Sequence, residues 1–467
     1  MDHALLIDGE RVETGAWTEV RSPFSGETIG RVAKGGTAEA QRALDAAGRV
    51  LSAPLPVHER ARILDATARL LEERQEEAAQ LISAEAGKPL KAARVEAQRA
   101  VSTYTFAAVE ARKLTGEVVP MDASAAGEGK LAFTLRVPIG IVGAISPFNF
   151  PLNLVAHKIA PALAAGCPVV LKPASATPLS ALFLAGLEEE AGLPAGWLNV
   201  VAGSASQIGD ALVADERVGL ITFTGSGDVG WGLAERAHRK RVKLELGNST
   251  PAIVCADAPA GTAAKLAANA FSYAGQSCIS VQRIFVLAEA WDGFVAEFVP
   301  KVESLVVGDP ADPATDVGPL ISGGERTRVL EWIAESRGEV LTGGEANGDG
   351  LVRPTVIANP APQDKVQCDE VFGPVVTLTK VGSVDEAIEQ ANATRYGLQA
   401  AIFSADVSTC LDAARRLEFG GVTVNEAPTF RADQMPYGGV KASGNTKEGP
   451  AWTVREMTEE RLVVLQL

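Results

Sequence analysis

The stretch "VGLITFTGSGDVG" (residues 218–230) decides how the chain is read. An apolar run ends at Thr224, and glycines follow at 225, 227 and 230 as the pattern turns helical. This is G-x-G-x-x-G after a strand and opening a helix, the arrangement that lets a backbone approach a pyrophosphate. Glu245 lies 20 residues beyond Gly225, where such folds keep a ribose-binding acid. Two features speak against the plain form of that reading. The match sits on the fourth strand of its series rather than the first, and Glu245 runs straight into the turn "LGNSTP" (246–251). A phosphate near the helix starting at Ser226 still suits free N–H groups there, whereas Glu245 needs another account.

Outward from this stretch, short apolar runs alternate with helical segments. "IGIVGAIS", "PVVLKP", "GWLNVVAG", "VGLITFTG" and "VKLELG" read as strands, with helices over 178–191 and 226–238. That alternation predicts a parallel sheet covered on both faces. A second α/β series runs from 260 to about 430, with strands expected near 282–287, 375–380, 399–403 and 421–425. Upstream, Ile63, Leu64, Ala68, Leu71, Ala78, Leu81 and Ile82 keep helical spacing, predicting one helix over 57–86, stopped by Gly87 and Pro89. Another helix is expected over about 91–114.

At 467 residues, with 46% apolar and 22% charged residues, the chain exceeds one ordinary core, so several domains are expected. A net charge of −15 argues against nucleic acid as partner. No apolar run suits a membrane span, and the acidic start "MDHALLIDGERVETG" lacks a signal-peptide pattern. The expected location is cytoplasmic. Five scattered cysteines, at 167, 255, 278, 368 and 410, without a CxxC pair, favour neither a disulfide framework nor a metal site. Four of them read as small buried hydrophobes. Cys278, in "AFSYAGQSCISVQ" (270–282), sits among small polar residues just before an apolar run, which leaves open whether it is a nucleophile.

Six motifs occur together and in order: "SPFNFPLNLVAHKIAPALAAGCPVVLKPASATP" (146–178), "FTGSGDVG" (223–230), "LELGNSTP" (244–251), "GQSCIS" (275–280), "DEVFGPV" (369–375) and "MPYGGVKASG" (435–444). The set resembles the aldehyde dehydrogenase superfamily over essentially the whole chain. In fine pattern it looks most like the group of lactaldehyde, phosphonoacetaldehyde and related small-aldehyde enzymes. The resemblance implies a three-part α/β architecture. A Rossmann-type cofactor domain would comprise 1–120 and 139–246, and an α/β catalytic domain 247–430. A small β oligomerisation element would comprise 121–138 and 445–467, with strand-like "KLAFTLRVP" (130–138) and "EERLVVLQL" (459–467) needing partners for their edges, as in a homodimer or homotetramer.

The resemblance also implies roles. Cys278 is the nucleophile, Asn149 and the cysteine's own N–H hold the oxyanion, and Glu245 activates the water that hydrolyses the thioester. Relatives that pass the acyl group to coenzyme A typically lack this Glu, so a free acid is the expected product. Cofactor-binding positions are Ser146, Pro147, Phe148, Lys172, Ser175, Gly225, Ser226, Leu246, Glu370 and Phe372. Ser175 stands where NAD-preferring members carry a Glu, so a 2′-phosphate is not repelled and NADP is favoured over NAD. Arg99, aligned by its distance to "TGEVVP" (115–120), His157, two helical turns beyond Asn149, and Arg431 are expected to bind the polar or anionic tail of a small aldehyde. Blander readings make His157 an ordinary capped histidine and Arg99 a solvated helix residue. Ser277 precedes the nucleophile where several phosphate- or phosphonate-handling relatives have Arg. A succinate-semialdehyde-type dehydrogenase would carry similar motifs, and a catalytically idle relative is the reading from another class. The intact set Asn149, Glu245, Cys278 and Glu370 counts against the latter.

Overall fold

The computed structural model describes all 467 residues. Its first large sheet runs, in spatial order, Arg241–Glu245, Val218–Thr224, Ile141–Ile145, Val169–Lys172 and Leu198–Val200, all parallel. The hairpin Leu5–Ile7/Glu10–Val12 extends it antiparallel. The chain enters at Ile141–Ile145, steps outward twice, then returns to add Val218–Thr224 on the other side. The order therefore reverses between Ile141–Ile145 and Val218–Thr224, and the crevice beyond their carboxyl ends is where open α/β sheets bind ligands. The glycine motif of 225–230 belongs to the fourth strand in sequence and still reaches this crevice, because that strand lies next to the first.

A second seven-stranded sheet runs Glu339–Thr342, Thr355–Ala358, Val375–Val381, Val281–Leu287, Thr250–Val254, Gln399–Phe403 and Gly421–Val424. Thr250–Val254 was not among the expected strands: "NSTP" reads as a turn, and Pro251 is a poor strand residue. The register shift between Thr250 and Pro251 accommodates it, since a bulge needs no proline N–H. The strand-like pieces 130–138 and 459–467 are strands, Lys130–Pro138 and Thr458–Gln466, and they pair antiparallel with each other over nine residues. Val118–Val119 covers the far side of Lys130–Pro138, so one edge of Thr458–Gln466 stays free.

The single helix expected over 57–86 is two, Val57–Glu73 and Gln75–Ala86, broken at Arg74 (φ −109°, ψ 26°). Periodicity misses the break because Leu71 and Ala78 are seven residues apart and keep the same face. The second helix carries Glu85, fully buried, whose carboxylate accepts the N–H groups of Leu179 (2.8 Å) and Ser180 (2.9 Å) at the start of helix Leu179–Glu190. Helix Leu90–Lys113 does the same for its neighbour. Glu96 accepts the N–H groups of Leu152 (2.9 Å) and Asn153 (3.2 Å), capping helix Asn153–Ala165, all 13 residues of which are buried. Two buried acids thus supply in trans the caps that the local sequence lacks. No helix is long and apolar enough to cross a membrane.

Candidate active site

Cys278 is presented by a strained turn. Helix Thr262–Phe271 ends, and Tyr273 (φ 51°), Ala274 (φ 53°) and Gly275 (φ 70°) all adopt the left-handed region. For the two non-glycine residues this costs on the order of 1 kcal/mol each. Burial of both, and the Tyr273 hydroxyl donating to the Ala86 carbonyl at 2.8 Å, holds them there. Gly275 has no substitute, since a Cβ would lie 2.2 Å from the Gly373 carbonyl oxygen. Gln276 then locks the turn through the carbonyls of Tyr273 and Pro319 and the N–H of Ile321.

Asn149, buried, donates from Nδ2 to the Gln276 carbonyl at 3.0 Å. An amide has two N–H donors, so one hydrogen fixes the side chain and the other is left for an oxyanion. Asn149 precedes helix Asn153–Ala165 rather than lying in it. The two-turn spacing used to place His157 on its face therefore does not apply.

A cavity of about 220 Å³ ends on Cys278, with Lys88, Arg99, Phe150, Arg431 and Tyr437 among its walls. The Cys278 sulfur is 2.9 Å from the Tyr437 hydroxyl. Burial pushes the thiol up to about 12; the Tyr437 hydrogen bond and Arg431 oppose the rise, and Glu370 and Glu245 add to it. Glu245 is 3% exposed with neither carboxylate oxygen partnered. Burial and the neighbouring Glu448 raise its pKa well above the carboxylate range, against Arg431, Lys158 and Lys447. Gly438 makes room for it, because a Cβ there would sit 2.7 Å from Glu245 Oε1.

Of the three expected substrate residues, Arg99 and Arg431 line the cavity. His157 does not: it is 1% exposed and lies behind the wall, its Nε2 2.9 Å from Asp433 and 3.3 Å from Arg431. Burial and Arg431 lower its pKa below the usual histidine value, against Asp433. Arg99 pairs with Asp433 at 2.9 Å and Arg431 with Glu448 at 2.9 Å. Sequence reading missed these two carboxylates, and with them the buried Lys88–Glu96 pair, Lys158 and Tyr437. Asp433 is two residues from Arg431, and Tyr437 lies inside a quoted motif, yet neither spacing says which way a loop side chain turns.

The expected cofactor positions lie on several separate elements. Lys172 ends strand Val169–Lys172, 5% exposed, and burial lowers its pKa. The Ser146 hydroxyl is buried without a partner, and Pro147 follows it at the head of the same loop. Phe148 and Phe372 meet edge to face at 5.8 Å. Ser226 stands at the N-terminus of helix Gly227–Arg236 without capping it, leaving N–H groups free. Leu246 packs closely against Gly230, where a Cβ would lie 2.6 Å from its Cδ2. A Cβ at Gly225 would meet the Phe223 ring at 2.7 Å. Glu370 accepts the N–H of Asn248 at 2.9 Å, and burial pushes its carboxyl up to about 7. Ser175 is exposed and borders a hollow of about 350 Å³ that also takes in Lys34 and Ser204. A buried hydroxyl, a buried lysine and free helix N–H groups are a donor set that fits a nicotinamide dinucleotide.

The family model of the "Aldehyde dehydrogenase family" matches residues 11–463. The chain is 43% identical to a 3-sulfolactaldehyde dehydrogenase of Priestia aryabhattai, covering 100% of this chain and 98% of that one. It is 39% identical to a lactaldehyde dehydrogenase of Methanocaldococcus jannaschii, covering 99% and 100%. Among solved structures, an NADP-dependent glyceraldehyde-3-phosphate dehydrogenase from Bacillus halodurans complexed with NADP superposes with a TM-score of 0.97 at 37% identity, covering all of both chains. The chain belongs to the aldehyde dehydrogenase family. It is an NAD(P)-dependent aldehyde dehydrogenase.

Proposed function

We propose that the protein oxidises a small aldehyde with a hydroxyl or anionic tail, of the lactaldehyde, 3-sulfolactaldehyde or phosphonoacetaldehyde kind, to its free carboxylic acid. The observation that carries this is the wall of the cavity ending on Cys278. Lys88, Arg99 and Arg431 line it, each paired with a carboxylate (Glu96, Asp433 and Glu448), of which only Glu96 stands in the wall itself. The similarity to lactaldehyde and 3-sulfolactaldehyde dehydrogenases points the same way. His157 enters this reading as a support that fixes Arg431 and Asp433, without touching substrate.

In the reaction, the Cys278 sulfur adds to the aldehyde carbon. The free Asn149 N–H and the cysteine's backbone N–H stabilise the oxyanion, preorganised because Gln276 already holds Asn149. A bound NAD(P) would supply the hydride acceptor. Ser146, Phe148, Lys172, Ser226, Glu370 and Phe372 would hold it, with Ser175 tolerating the 2′-phosphate, and NADP is the favoured form. Glu245, unpartnered and with a raised pKa, takes the proton from the water that cleaves the thioester. The free edge of Thr458–Gln466, with Leu462, Val464 and Leu465 exposed, supports assembly with further copies of the chain.

The test is reduced-coenzyme formation with lactaldehyde, 3-sulfolactaldehyde, phosphonoacetaldehyde, succinate semialdehyde and hexanal, each with NAD and NADP. A higher kcat/KM for the hydroxylated or sulfonated three-carbon aldehydes is expected. In Arg99→Ala, KM for an anionic aldehyde should rise tenfold or more, the loss of about one charged hydrogen bond. Preference for hexanal overturns the reading of the tail site.

A further inference from the structure

The hydroxyl nearest the reacting sulfur belongs to no role assigned above. Tyr437 is 3% exposed, and its hydroxyl has Cys278 Sγ, 2.9 Å away, as its hydrogen-bond partner. Its backbone is pinned, with its N–H donating to the Glu448 carbonyl at 3.0 Å. The guanidinium of Arg431 lies against the ring, 3.8 Å from its centroid, and is itself fixed by Glu448 at 2.9 Å. We propose that Tyr437 is the hydrogen-bond donor that stabilises the Cys278 thiolate, with Arg431 on the ring face strengthening the phenol as a donor.

The argument follows from what each atom can give. While Cys278 is a thiol, either the S–H or the O–H can donate. Once it is a thiolate, only the tyrosine O–H can, and hydrogen bonds to an ionised partner are the strong ones. The charges facing the sulfur do not supply that donor: Glu370 and Glu245 oppose the thiolate, while Arg431 favours it by its field. A cation over an aromatic face draws on the ring's π-density, so the phenol donates more readily while keeping its own proton. The proton that leaves is the thiol's, and it goes to solvent. No bond to Tyr437 forms or breaks.

This inference rests on Cys278 being the nucleophile, and the experiment separates the two. Ligand-free protein is alkylated with iodoacetamide across a pH series, the adduct located by peptide mass, with Cys278→Ser as the blank. In Tyr437→Phe the ring and its Arg431 contact remain, so a purely structural role leaves the profile unmoved. The proposal expects the alkylation rate of Cys278 to fall about tenfold to a hundredfold at each pH of the series, and kcat/KM to fall about tenfold or more. Site-specific 3-fluorotyrosine at 437, a stronger donor, should move the rate the other way. Superimposable profiles for the three proteins overturn the role of Tyr437 and leave the nucleophile standing. Alkylation that spares Cys278, with dehydrogenase activity surviving in Cys278→Ser, overturns both.

Discussion

Glu245 shows how a single side chain can be costly to fold and useful for chemistry. A buried ionised carboxylate without partners is expensive. The cost is relieved by protonation, which its raised pKa permits. The base form therefore appears only as pH rises through that raised value, and thioester hydrolysis should speed up over the same range. Glu245→Gln should lower kcat by about 10²–10⁴-fold and flatten this rise. A burst of reduced coenzyme equal to the enzyme should survive, because the Gln variant still forms the thioester. Rapid-mixing measurement of that burst checks it, and a lost burst would put Glu245 at an earlier step. Cys278, Asn149 and Glu245 were all legible from their motifs. His157 was not, because the helix that was to carry it from Asn149 begins only at Asn153.

At the scale of elements, Glu85 and Glu96 do what local caps usually do. Both sit on N-terminal helices and reach the first N–H groups of helices lying 94 and 56 residues away in sequence. Removing the Glu85 acceptor orphans buried donors of Leu179 and Ser180, so Glu85→Ala should cost about 2–3 kcal/mol, read as a lower urea midpoint. Its pH sign can be worked out. Burial pushes its carboxyl up to about 7, above the unfolded value, so the folded state binds more protons. That contribution is fully present below the unfolded pKa and is lost as pH rises to about 7. In Glu85→Gln this loss of stability between about pH 4.5 and 7 should shrink, and an unchanged slope would place it elsewhere. The helices themselves were readable from their apolar spacing, apart from the break at Arg74, across which the spacing continues.

For the whole molecule, the arrangement of the two large sheets brings the loop after Ile141–Ile145 of the first against the cysteine-bearing turn between Thr250–Val254 and Val281–Leu287 of the second, where Asn149 meets the Gln276 carbonyl. Loop 431–448 crosses both, bringing Arg431 and Tyr437 to the cavity and Glu448 beneath Glu245. The strand pair Lys130–Pro138/Thr458–Gln466 stands apart from the large sheets with one edge free. If copies assemble through it, arginine at both Leu462 and Val464, which are 56% and 45% exposed, should lower the mass seen by light scattering. A wild-type chain that is already monomeric at micromolar concentration overturns the assembly.

The alternation of short apolar strands with helices was enough to read an α/β chain with two series, because burying a parallel sheet on both faces imposes that pattern. Cys278, Asn149, Glu245 and the residues proposed to hold the cofactor could be picked out because each sits in a short motif that is contiguous in sequence. The ion-paired wall was not. Arg99 meets Asp433 across 334 residues, and Tyr437 meets Cys278 across 159. A buried charge must find a partner, but only the packing of the helices and the crossing loop decides which partner that is.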